Sequence, residues 1–201
     1  MEIEKVKELY YIEGLTMKEV SLWYGVSIDV VVHFMRKHQI ERRSFKEASA
    51  VNFAKKPLSF TKKEILTIEE EKLKIAGVML YWAEGAKSEN YSMVDFANSD
   101  PSMISVFLCF LRGIFQIDEK RLRIQLYCYS DQNIADLVSF WCDLTHIPTS
   151  QLIKPYIRQD FKENGRKMLH GLIHIRYSDK KLWLEVMKMI EEHKLQFASI
   201  V

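Results

Sequence analysis

Between Thr67 and Gly85 the chain carries a segment that opens with acids, becomes wholly apolar, and stops on a carboxylate. Thr67-Ile-Glu-Glu is a capping box, in which the threonine hydroxyl and Glu70 satisfy each other's backbone N–H groups. Glu69, Glu70 and Glu71 suit the positive end of a helix dipole. From Ile75 to Ala83 no residue is charged, and a helix apolar on all sides is expected to be buried on all sides. It ends at Glu84-Gly85, an acid where the dipole is negative, followed by a glycine stop. An anion placed there needs a compensating cation, and a divalent metal such as Mg2+ supplies one.

Residues 15–38 read as a helix-turn-helix. Thr16 and Glu19 form a second capping box, and the helix they open runs to Tyr24 with Val20, Ser21 and Tyr24 on one face. Gly25 stands where the turn needs a positive φ. Val26 returns to the core and Ser27 caps the next helix, which is expected to bury Val30, Val31, Phe34 and Met35. Its other face carries Ser27, Ile28, Asp29, Val32, His33 and Arg36, the positions that face a major groove. With a preceding helix from Val6 to Tyr11 and the trailing Ile40-Glu-Arg-Arg-Ser, the segment resembles the helix-turn-helix of resolvases and many bacterial regulators. The resemblance implies double-stranded DNA as partner, with Arg42 and Arg43 joining Ser27, Ile28, Asp29, His33 and Arg36 as its contacts. Asp29 repels phosphate and so limits non-specific affinity.

Net charge is only +2 over 201 residues, so attraction for nucleic acid must come from local clustering. Arg36, Lys37, Arg42, Arg43, Lys46, Lys55, Lys56, Lys62 and Lys63 form such a run, opposed by Glu41 and Glu47. The expected organisation is a helix-turn-helix domain over 1–48, a basic linker over 49–66 with Pro57 inside it, and a mixed α/β domain over 67–201. Hydrophobic residues make up 48% of the chain, enough for a true core in each domain.

In the larger domain the pattern predicts strands near 91–98, 121–130, 152–158 and 168–178, and helices over 101–115, 132–145 and 180–193. The spacers are irregular for parallel βαβ units, so the expected class is α+β with a mainly antiparallel sheet. Period-two alternation turns Leu122, Ile124, Leu126 and Cys128 inward and leaves Arg121, Arg123, Gln125, Tyr127 and Tyr129 outward. It likewise buries Gly171, Ile173, Ile175 and Tyr177, leaving His170, His174 and Arg176 on the other face, where Lys154, Tyr156 and Arg158 can join them. Such a face, scarce in acids, suits phosphates and base edges.

Ile75-Ala-Gly-Val-Met-Leu-Tyr-Trp-Ala-Glu-Gly, with the following Met93-Val-Asp-Phe-Ala-Asn-Ser-Asp and Pro101-Ser-Met-Ile, resembles a LAGLIDADG homing-endonuclease domain over roughly 67–193. The resemblance implies that the apolar helix packs against its twin in a homodimer, that a sheet lies in the major groove, and that the acid at the helix end binds Mg2+. On it, Glu84 is the metal ligand and catalytic acid, and Lys87 stabilises charge on the phosphate. Arg121, Arg123, Gln125, Tyr127, Lys154, Arg158, His174 and Arg176 read the DNA. Trp82 stands where the motif has its first acid, Glu84 replaces the usual aspartate, and Met79 takes a small residue's place. Two functions therefore stand side by side: a Mg2+-dependent DNA endonuclease, and a transcriptional regulator of the same fold that cuts nothing. A third, a protein-binding module, is separated from both by salt dependence.

Other chemistries find no motif. Cys109, Cys128 and Cys142 lack metal spacing and read as reduced apolar residues. The six histidines form no zinc pattern, and no phosphate loop, nucleophile elbow or dinucleotide fingerprint occurs. The start is unlike a signal peptide and no apolar run reaches membrane-spanning length, so the expectation is a soluble, cytoplasmic protein.

Overall fold

Three capping boxes set the helix starts. Thr16 with Glu19, Ser44 with Glu47 and Thr67 with Glu70 each exchange both reciprocal hydrogen bonds. The computed structural model describes residues 1–159 and 168–198. It divides into two units, Met1–Pro57 and Leu58–Val201, each with its own core.

In the first unit α1 (Ile3–Lys7) runs into a π-helical turn, Glu8–Ile12. Then come α2 (Met17–Tyr24), α3 (Ile28–Lys37) and α4 (Phe45–Lys55). Gly25 joins α2 to α3 at φ 64°, the left-handed geometry expected of it. Val20, Val31 and Met35 close on Val6, Leu9 and Tyr10, with Val26 and Phe34 partly buried beside them. Val30 is not buried but 46% exposed; it sits one position off the Val31–Met35 stripe. Ser27 occupies the cap position of α3 without a side-chain capping bond. Helix α4 fills much of the stretch read as linker, and it buries none of its residues.

The rest of that stretch belongs to the second unit. Phe60 is buried, and Thr61 and Lys63 donate backbone hydrogen bonds of 2.9 Å to Phe115 and Ile114. Helix α5 (Ile68–Glu84) follows, then β1 (Val94–Asn98), α6 (Pro101–Phe115), β2 (Leu122–Tyr129), α7 (Ile134–Thr145), β3 (Leu152–Arg158), β4 (Leu172–Tyr177) and α8 (Lys180–Ala198). The fold is α+β. The sheet order is β1-β4-β2-β3, antiparallel except where β3 pairs β2 in parallel. That exception is a βαβ unit carried by α7, which the irregular spacers had argued against.

One face of the sheet is core. Leu122, Ile124, Leu126 and Cys128 of β2 are buried with Ile173, Ile175 and Tyr177 of β4, against the apolar face of α6. Strand β3 is an edge with a register shift opposite Gln125–Tyr127, and Pro155 lies within that shift. At the other edge, Gly85 bridges Phe96 and the Ala86 N–H donates to the Asp95 carbonyl.

Helix α5 is not buried all round within one chain. Gly77, Val78 and Tyr81 are buried, whereas Ile68, Ile75, Ala76 and Ala83 are exposed and Met79 half-exposed. Helices α6 and α8 of its own chain pack on it, but Ile75, Ala76 and Ala83 stay exposed, so an apolar stripe is left open. Among the described residues no helix is long and apolar enough to cross a membrane.

Candidate nucleic-acid interface

The outer face of the sheet gathers polar side chains because strands alternate. Arg123, Gln125 and Tyr127 of β2 are half-buried there, beside His174 and Arg176 of β4. Tyr156 extends the face onto β3, 5.1 Å from Tyr127 between ring centroids, and His174 lies 4.6 Å from Tyr127 on the other side. Lys154 and Arg158 are exposed along the same edge strand. Arg121 is not on the sheet: β2 begins at Leu122, and Arg121 ends the preceding 3₁₀ turn, 3.3 Å from Asp179. His170 also precedes its strand, stacked on Phe140 at 3.7 Å.

The sequence reading missed Asp95 as a member of this face. It pairs with Arg176 across β1 and β4 and is only 7% exposed. Its Oδ1 lies 2.7 Å from His174 Nδ1, and its Oδ2 accepts from Arg176 Nε at 2.8 Å. Burial pushes its carboxyl up, but His174 and Arg176 together outweigh burial and hold it below the usual aspartate value. The signal was present in Val94-Asp-Phe, where two apolar neighbours face the core and the acid between them must face the other way. Asp95 also offsets the like charges of Arg123 and Arg176, which stand opposite each other across β2 and β4.

At the tip of α5, Glu84 is exposed and Lys87 Nζ donates to the Gly85 carbonyl at 2.8 Å. Tyr81 anchors the tip, its hydroxyl donating to the Ala86 carbonyl at 2.8 Å. Burial raises the Tyr81 phenol well above its ordinary pKa, which keeps it a donor. Mg2+ needs converging oxygen ligands. Among the described residues no three His, Cys, Asp or Glu side chains come together.

In the first unit Ser27, at the N-cap position of α3, and Ile28, Asp29, His33 and Arg36 along it are all exposed. Arg36 and Arg42 border a hollow floored by Met17, Val32 and Met35. Arg43 is turned inward, over the Tyr10 ring at 4.1 Å, and donates to the Gly14 and Leu15 carbonyls. Comparison of the chain with protein families, with curated proteins and with solved structures gives no match.

Proposed function

We propose that this protein binds double-stranded DNA as a homodimer, with α5 as the contact between copies. The outer face of the sheet meets the major groove, and α3 contributes through its exposed face. The observation that carries this reading is the sheet face itself. Among the described residues its charged side chains are basic apart from Asp95, and Asp95 is already paired with Arg176 and His174. The open stripe of Ile75, Ala76, Met79 and Ala83 on α5 supports the pairing, since a second copy would remove that apolar surface from water. Because Trp82 takes the place of the motif's first acid and Glu84 that of its usual aspartate, the reading favoured is a regulator that binds without cutting.

Titrating the full chain against random-sequence duplex DNA over a range of salt tests this. Phosphate contacts make log K fall linearly with log salt, by about 0.9 per neutralised phosphate. Affinity that ignores salt would move the sheet face to a protein partner. Repeating the incubation with Mg2+ decides about cleavage: nicking that disappears in Glu84→Gln would restore the endonuclease, and intact duplex supports the regulator.

A further inference from the structure

A buried acid on a face built to meet phosphates works against attraction, so Asp95 needs a purpose beyond affinity. Its geometry suggests one. Arg176 gives Nε to Asp95 at 2.8 Å and Nη1 to Gln125 Oε1 at 2.5 Å. Gln125 Nε2 in turn donates to the Lys154 carbonyl at 3.3 Å. Both ends of the Gln125 amide are thus engaged, and it acts as a brace. A guanidinium has five N–H donors, and these contacts take two of them. The remaining three belong to a side chain that is 23% exposed.

Charge compensation decides what such a group is good for. Asp95 cancels most of the long-range field of Arg176, so this arginine adds little to counterion release or to steering. What it keeps is direction, a planar set of donors clamped from two sides. An uncompensated cation is the better phosphate ligand, and Arg123 and Lys154 already supply that kind of charge. A clamped and neutralised fork is suited to base edges. Guanine alone presents two adjacent acceptors, O6 and N7, in the major groove, and an arginine fork matches them.

We infer that Arg176, positioned by Asp95 and Gln125, is a guanine-reading residue of this protein. The inference rests on the DNA-binding reading and adds the base that one side chain recognises.

Selection of tight sites from a random-sequence duplex pool by the full chain, followed by salt titration of the winning duplex, tests it. The expected motif has a guanine at a fixed position. Replacing that base with 7-deazaguanine, which lacks the N7 acceptor, weakens the wild-type protein roughly 5- to 100-fold. Arg176→Lys keeps the charge but loses the fork; it should flatten preference at that position and leave the salt slope unchanged. Asp95→Asn should lower the same preference while steepening the slope by up to about one unit, because it frees a cation. A purely structural role for Asp95 would not move these two readouts in opposite directions. Indifference of the wild-type protein to 7-deazaguanine at every selected guanine overturns the inference, and needs no variant to fold. An Arg176→Lys protein with the full motif overturns it too. If the wild type retains no duplex from the pool, the DNA-binding reading itself falls.

Discussion

A methyl group built on Gly77 would lie 2.1 Å from the Phe110 ring, so α5 and α6 meet where one of them has no side chain. Gly77→Ala gains helix propensity of up to about 1 kcal/mol but overpacks the crossing, which typically costs about 1–3 kcal/mol. The expected outcome is a lower urea midpoint for the second unit, measured by Trp fluorescence. Asp95 gives a second prediction at this scale. Its pKa is lower folded than unfolded, so its pairing stabilises the fold above the unfolded aspartate value of about 3.9 and is lost as pH falls through the folded value. Thermal midpoints of the wild type should therefore drop more steeply in acid than those of Asp95→Asn. Alternation along β2 and β4 made the faces of individual residues legible in the sequence. Asp95 was overlooked because its cross-strand partner, Arg176, lies 81 positions away, and only the register of β1 on β4 joins them.

Helix α5 carries the prediction that belongs to elements. Ala76→Arg places a charge on the open stripe at a position exposed in the single chain and outside the core cluster. Sedimentation should show the wild type as a dimer and the variant as a monomer, with unchanged helical circular dichroism. A wild type that stays monomeric at all concentrations would remove the paired-helix reading. The start of α5 was plain from Thr67 and Glu70, and the bounds of α6 and β3 agree with the sequence reading. Helix α4 escaped it although Ser44 and Glu47 spell the same capping box. Its polar, weakly patterned residues have no buried stripe to betray a helix, so the cap was the one available signal. What covers α5 was less legible: composition says that an apolar surface must be covered, but not whether its own chain covers it.

At the scale of the whole molecule, both boundaries of the sheet are closed to growth. On one side the Gly85–Ala86 segment already lies against β1. On the other, Pro155 lacks an amide donor and sits in a break of register. Neither boundary offers an incoming strand a regular ladder. Copies of the chain are thereby discouraged from joining one edge to the opposite edge of the next, a head-to-tail mode that extends without end unless it forms a ring. On the proposed homodimer these margins stay out of the contact, and a twofold pairing through the helical side ends with two members.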